Sequence, residues 1–317
     1  MLTVYLKSYN KVLINPNLDL FEELGFDDIL WIDMLAPSIK EKKTVEDFMD
    51  FSLQTRQQVE EIEYSSRYSE SERATFLNTN FLVSINNSYA ISPVSFAFCE
   101  GVLVSERSEE FKTFVEVAKR LQINHRSFPT GAHVLVSILE VRIDMDADMI
   151  ESISRKVSAL SRTMSIDEAN VDSEVLRTIN SLQDSNMILR ENIFDRQRTV
   201  SSISRSERFP NDTYPRLSVM LKDIASLLSH ADFSLNRLDY LQDTAMGLIN
   251  IEQNNITKLF TVASVFFLPL TLIASIYGMN FKFMPEVEYK YGYFVVIGLM
   301  VFISTATYIV FKRKKWL

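Results

Sequence analysis

Leu259-Phe260-Thr261-Val262-Ala263-Ser264-Val265-Phe266-Phe267-Leu268-Pro269-Leu270-Thr271-Leu272-Ile273-Ala274-Ser275-Ile276-Tyr277 is a run of 19 residues without a charge. As a helix it is long enough to cross roughly 30 Å of hydrocarbon. A second uncharged run of 21 residues extends from Tyr291 to Phe311. Both end in flanks of the kind found at membrane surfaces, which favours two spans over two buried core helices. Beyond the second run stand Lys312, Arg313, Lys314, Lys315, Trp316 and Leu317, and four consecutive cations beside a span belong in the cytoplasm. The connection from Gly278 to Lys290 carries Lys282, Glu286, Glu288 and Lys290, so it is neutral in sum and too short for a domain. Tyr291, Tyr293 and Trp316 stand where interfacial aromatics belong. No apolar run lies near Met1, so no signal peptide is expected and Met1 to Lys258 are expected to stay on the side of synthesis. The expected topology therefore has both termini inside and only the short connection outside.

Working outward, the composition narrows the function classes. Of 317 residues, 47% are hydrophobic and 23% charged, which suits a packed protein and excludes a disordered one. Only 7 glycines occur, none five apart and none in a G-x-G pair, which excludes a P-loop and a dinucleotide fingerprint. Cys99 is alone and cannot form an internal disulfide or a cysteine-based zinc site. His125, His133 and His230 show no metal-ligand spacing. A net charge of −8 argues against nucleic acid as a partner. No nucleophile–base pair or organic-cofactor motif is present, so an enzyme is the least supported class.

Residues 1–128 read as a cytoplasmic α/β domain. Strands are expected at Leu2–Leu6, Leu30–Asp33, Phe76–Ile85, Val94–Phe98 and Gly101–Ser105, and helices at Ile39–Met49, Gln54–Glu63 and Glu109–Leu121. Residues 129–257 read as a helical stalk region. Val134, Ile138, Val141, Met145 and Met149 recur at helical steps, as do Val175, Ile179, Leu182, Leu189 and Ile193 with Asn186 in the gap. Glu140, Asp144, Asp148 and Glu151 form an acidic face, either plainly solvated or able to concentrate cations. Pro215 opens a third helix, and Leu217, Leu221, Ile224, Leu228, Ala231, Leu235 and Leu238 follow in a coiled-coil seam. No proline interrupts from Arg216 to Leu268, so this helix is expected to run into the first span, about 93 Å to Tyr277 at 1.5 Å per residue. Residues 258–317 form the membrane part, with a first span at about 258–278, an outer loop 279–290, a second span at about 291–311 and a basic tail 312–317.

The polar residues of the first span share a face. Thr261, Ser264, Thr271 and Ser275 step by 3, 7 and 4, while Val265, Phe266, Leu270 and Ile273 occupy the opposite faces. Downward, the same face carries Thr257, Asn254, Asn250, Met246 and Asp243; upward it reaches Gly278, Met279 and Asn280. In lipid such a face must look at another helix or at water. Its continuity beyond the bilayer thickness favours a pore in a symmetric ring of chains. Phe260 and Leu268 interrupt it and could form hydrophobic constrictions that gate by dewetting.

Tyr277-Gly278-Met279-Asn280-Phe281, then Met284-Pro285-Glu286, Tyr291-Gly292-Tyr293 and the basic end after the second span, resemble the CorA family of magnesium channels. The close match covers about residues 240–317; Trp31-Ile32-Asp33 and Pro37-Ser38 resemble the family's early strand and turn. The resemblance implies a funnel-shaped homopentamer in the inner membrane, lined by the first span, with an α+β cytoplasmic domain and long stalk helices. It implies passive Mg²⁺ uptake driven by membrane potential, often with Co²⁺ and Ni²⁺ also carried, and gating by cytoplasmic Mg²⁺. Asn280 maps onto the selectivity residue, within a filter of Gly278, Met279 and Asn280. Leu268, Thr271, Asn254 and Asp243 fall on pore-lining positions. Phe260 falls where an aliphatic gate residue is usual. The family's regulatory acidic sites do not map; Val219 stands where one is expected.

The chemistry agrees with this. Mg²⁺ gives up water reluctantly, and neutral amide oxygens can hydrogen-bond its waters without stripping them. Carboxylates would hold the bare ion and slow its exit. Gly278 is expected to let the backbone turn sharply there. Glu286 and Glu288 either raise the local cation concentration or are simply solvated. Two alternatives stay open. A zinc or cobalt transporter of the same fold would generally lack Met-Pro-Glu, and a membrane-anchored sensor without transport leaves the polar stripe unexplained.

Overall fold

The computed structural model describes residues 1–7, 12–60, 67–85, 88–166, 173–279, 284 and 289–314. It divides into two compact units, Met1–Thr163 with Leu176–Gln242 and Met164–Val175 with Asp243–Leu317.

The first unit is built on a sheet of β1 (Leu2–Leu6), β2 (Val12–Ile14), β3 (Ile29–Leu35), β4 (Tyr68–Glu70), β5 (Thr75–Ile85), β6 (Ser88–Cys99) and β7 (Val102–Arg107), in the order β2-β1-β3-β7-β6-β5-β4. β3 and β7 run parallel, with Trp31 opposite Leu103 and Asp33 opposite Ser105. The other pairs are antiparallel. All five strands expected from β-branched and aromatic runs are present. β2 and β4, three residues each, were not expected; they are edge strands paired, among the described residues, with β1 and β5 respectively.

β3 is buried from Ile29 to Met34, because both faces of the sheet are covered. On one face Ile32 and Met34 join Leu2, Val4, Phe21, Val45 and Met49 in a single apolar cluster. Phe21 comes from α1 (Leu20–Glu23), and Val45 and Met49 from α2 (Ile39–Met49). Ser38 and Glu41 close a reciprocal capping box that starts α2, and the Ser38 amide donating to Glu41 holds that carboxyl below its usual range. The helix expected at Gln54–Glu63 is α3 (Arg56–Glu60); residues 61–63 lie outside the described residues. On the other face Phe114 of α4 (Lys112–Ile123) reaches the rings of Trp31, Phe81 and Phe96 at 6.0, 5.9 and 6.3 Å.

α5 (Gly131–Ile166) begins against the backbone of β7. A Cβ on Gly131 would stand 2.4 Å from the Leu103 amide nitrogen, so only glycine fits there. Val134, Ile138 and Val141 are buried and Met145 and Met149 partly so. The stripe expected on α6 (Ser173–Arg205) is buried from Ile179 to Ile193. Asn186 belongs in it because its amide donates 2.9 Å to the carbonyl of Ala231.

α7 (Tyr214–Tyr277) is one helix of 64 residues, with Pro215 in its first turn and Pro269 inside it. Its seam differs from the expected one. Leu217, Ile224, Ala231 and Leu238 are buried as expected, but the alternate positions are Met220, Ser234 and Leu241, while Leu221, Leu228 and Leu235 are only half-buried. The heptad step of seven is kept and the intervening step is three rather than four. In the second unit, the other long helix is α8 (Gly292–Arg313), of 22 residues.

Candidate ion path

Among the described residues two helices, α7 and α8, are long and apolar enough to cross a membrane. Along α7, Asp243, Met246, Asn250, Asn254, Thr257, Phe260, Ser264, Leu268, Thr271 and Ser275 are all exposed. The less exposed positions of its apolar part are Val262, Phe266, Pro269, Leu270 and Ile273. At 100° per residue these centre about 150° round the helix from the polar stripe, so the stripe is the side that the rest of the unit leaves uncovered. Phe266, Leu270 and Ile273 thus lie away from it as expected, whereas Val265 is 45% exposed and sits on its flank. α8 has its own less exposed stripe, Gly292, Val296, Met300, Ile303, Ser304, Thr307 and Phe311.

The hydroxyls of this face are oriented by the helix itself. Thr257, Thr261 and Thr271 each donate to the carbonyl four residues back, at 2.8, 2.8 and 2.9 Å. With the proton so engaged, each oxygen offers only acceptor capacity to the outside, which suits the O–H groups of a hydrated cation. Leu268 falls at the centre of the stripe, while Phe260 lies about 80° away on its edge. Both are largely exposed, at 70% and 68%.

At the far end the helix stops at Gly278, whose amide bonds to Ala274 and Ser275 at 3.0 and 3.2 Å. Gly278 has no positive φ. A Cβ there would sit 3.3 Å from the Ala274 carbonyl oxygen, so glycine serves close approach to the helix end and not a left-handed turn. Met279 is exposed. Asn280, Glu286, Glu288 and Lys315 lie outside the described residues. Lys312, Arg313 and Lys314 close α8.

The acidic face of α5 is not a free ring of charge. Glu140 holds Arg216 through two bonds of 2.7 and 2.6 Å, and Glu151 pairs with Arg155. Burial pushes the Asp144 carboxyl up; Arg120 opposes this, and Glu140, Asp148 and Asp223 add to it. Among the described residues no three His, Cys, Asp or Glu side chains group closely enough to hold a metal ion.

A model of the CorA-like Mg²⁺ transporter family matches residues 26–313. The chain belongs to that family. It is 38% identical over 330 aligned residues to the magnesium transport protein CorA of Campylobacter jejuni, with all of both proteins covered. The corresponding protein of Wolinella succinogenes is 34% identical over 322 aligned residues, again with full coverage of both. In fold it is similar to the complete CorA magnesium transporter of Methanocaldococcus jannaschii, with a TM-score of 0.81 at 19% identity, covering 100% of this chain and 98% of that one.

In this CorA-family chain several residues escaped the sequence because their partners are distant. Glu140 and Arg216 tie α5 to the first turn of α7 across 76 positions. His133 Nε2 lies 3.0 Å from Asp212, in the turn before α7, and its Nδ1 lies 2.9 Å from Thr130. The bond from His133 holds the Asp212 carboxyl below its usual range. A carboxylate, Asp146, is buried between Arg142 and Arg196. In the sequence Glu140 reads only as part of an acidic face, and no pattern there singles out His133, Asp212, Asp146 or Arg196.

Proposed function

We propose that this chain is the subunit of a homopentameric channel that carries Mg²⁺ into the cell across the inner membrane. Uptake is driven by membrane potential, and Co²⁺ and Ni²⁺ are secondary cargo. The observation that carries this is the polar face from Asp243 to Ser275, exposed throughout and, from Ser264 to Ser275, set opposite the covered stripe of the same helix. One such face cannot enclose water, and a closed ring of copies is the simplest way to cover it. Family membership and the relatives' names support Mg²⁺ as the cargo. The basic end after α8 supports cytoplasmic termini, so residues 1–128 and 129–257 form the inner α/β domain and stalk, and 258–317 the membrane part. Gly278, Met279 and Asn280 form the outer filter, approached past Glu286 and Glu288. The protein is a transporter and not an enzyme, with no organic cofactor and no nucleic-acid partner.

In proteoliposomes, Mg²⁺ flux is expected to exceed Zn²⁺ and Co²⁺ flux; no flux of any of them would favour a sensor, and Zn²⁺ preference a zinc transporter. Native mass spectrometry in mild detergent is expected to give a pentamer, and a stable monomer or dimer would overturn the ring.

Gating is assigned to the apolar interruptions of the stripe, with cytoplasmic Mg²⁺ as the closing signal. Rings of Phe260 and Leu268 narrow and dry a passage that a hydrated dication crosses only at high cost. Phe260→Ser or Phe260→Gly is expected to leak at millimolar internal Mg²⁺, where the unchanged protein is closed. If those variants stay closed, Phe260 is a packing residue, as its place on the edge of the stripe would allow.

A further inference from the structure

We propose that the end of α8 binds the phosphate headgroups of anionic lipids in the adjoining leaflet. The charge pattern points there first. The chain carries 41 acidic and 33 basic residues, yet no Asp or Glu follows Glu288, and Lys312, Arg313, Lys314 and Lys315 are consecutive. Charge of one sign is thus gathered at the end of a span, in a stretch of sequence that holds no acid.

Geometry adds the second observation. Phe311 is the single buried residue of α8, at 7% exposure. From it, Lys312 and Arg313 follow at about 100° and 200° round the helix, away from the covered side, and Lys314, at the C-cap, is exposed as well. Among the described residues none of the three pairs with a carboxylate. Lys312 Nζ instead stands 6.0 Å from the centroid of the Tyr308 ring. Tyr308, half-exposed one turn earlier, has the apolar body and polar tip of a residue seated at the headgroup level.

The helix end alone does not account for this many cations. Its carbonyls are already engaged in part, since the Lys314 amide donates 3.0 Å to Val310. The macrodipole is complemented by one or two cations in the last turn. Unpaired ammonium and guanidinium groups at the edge of hydrocarbon can take lipid phosphates as counter-ions, each worth about fivefold in affinity for an anionic surface. This inference rests on α8 being a span whose end meets a leaflet, and not on which ion the protein carries.

The test uses the full-length protein in phosphatidylcholine vesicles without divalent cations. Quenching of tryptophan fluorescence by brominated phosphatidylglycerol is compared with quenching by brominated phosphatidylcholine. The chain has two tryptophans; Trp31 is fully buried in the first unit, so the quenchable signal belongs to Trp316, two residues past Lys314. Phosphatidylglycerol is expected to be preferred by at least about tenfold near 0.1 M salt, with the preference shrinking as salt rises. Lys312→Gln, Arg313→Gln and Lys314→Gln together are expected to bring it within about twofold of none, whereas Lys312→Arg, Arg313→Lys and Lys314→Arg together keep it. Millimolar glycerol phosphate is expected to leave it unchanged. Equal quenching by the two lipids, a preference that survives the triple neutralisation, or displacement by glycerol phosphate would each overturn the lipid site. A lipid preference in a protein that carries no Mg²⁺ would uphold it and sink only the transport proposal.

Discussion

Replacing Asn280 with Ala is expected to bring Mg²⁺ uptake down to the level of empty vesicles, while the protein still inserts and assembles. The polar face of α7 reaches Ser275, the helix stops at Gly278, and Asn280 follows two residues on. A ring of amide oxygens at that mouth can accept hydrogen bonds from the waters of an intact Mg²⁺ shell. This matters because Mg²⁺ holds an octahedral set of oxygens at about 2.0–2.1 Å and dehydrates slowly. Alanine removes the acceptors and offers nothing in return. Asn280→Asp changes the chemistry differently, since a ring of carboxylates binds the cation strongly and delays its release, so slow uptake is expected rather than none. Dye-reported Mg²⁺ entry, with native mass spectrometry on the same sample, separates loss of transport from loss of assembly. Uptake at the unchanged rate in correctly inserted Asn280→Ala protein would remove Asn280 from the filter.

The two long apolar helices and most of the sheet were legible because their signals are local. Leu2–Leu6 and Ile39–Met49 appear with the bounds expected of them, the first from its β-branched and aromatic composition and the second with Ser38 and Glu41 capping its start. The stripe of α7 needs only a helical period and the rule that polar groups in lipid must face something polar. What was not legible depends on partners. β2 and β4 are three residues long and exist through pairing with β1 and β5. The stalk seam was misplaced because Met220–Leu221, Leu227–Leu228 and Ser234–Leu235 each offer two neighbouring candidates. The heptad alone cannot choose between them, and the packing buries Ser234 at 3% exposure while leaving Leu235 half-buried. The acidic face of α5 reads as free charge until Arg216 is found on Glu140.

The same dependence on distant partners makes Asp146 the residue whose loss is expected to destabilise the first unit most. Its carboxylate is 1% exposed and accepts from Arg142 at 2.6 Å and from Arg196 at 2.8 Å. Arg196 is fully buried and also bonds Asn192, the Thr79 hydroxyl and the Asn80 carbonyl, so the group joins α5, α6 and β5. The Phe81 ring centroid lies 5.1 Å from the Arg142 guanidinium and 5.5 Å from that of Arg196. Burial pushes the Arg142 guanidinium below its ordinary value, with Asp146 opposing that shift. Asp146→Ala strands two buried cations beside each other, and breaking a buried pair in this way costs about 3–5 kcal/mol. At about 2–4 °C per kcal/mol for a unit of this size, the apparent melting temperature of the detergent-solubilised protein falls by roughly 6–20 °C. Removing all three charges, with Asp146→Leu, Arg142→Met and Arg196→Met, is expected to cost less than Asp146→Ala alone. No unpaired ion remains, and the Asn80 carbonyl still accepts 3.0 Å from Asn192; the loss is then confined to the bonds of Thr79 and Asn192, about 1–3 kcal/mol. If the triple variant melts below the single one, the network holds the unit by its packing and hydrogen bonds, and the balance of buried charge is not what Asp146 supplies.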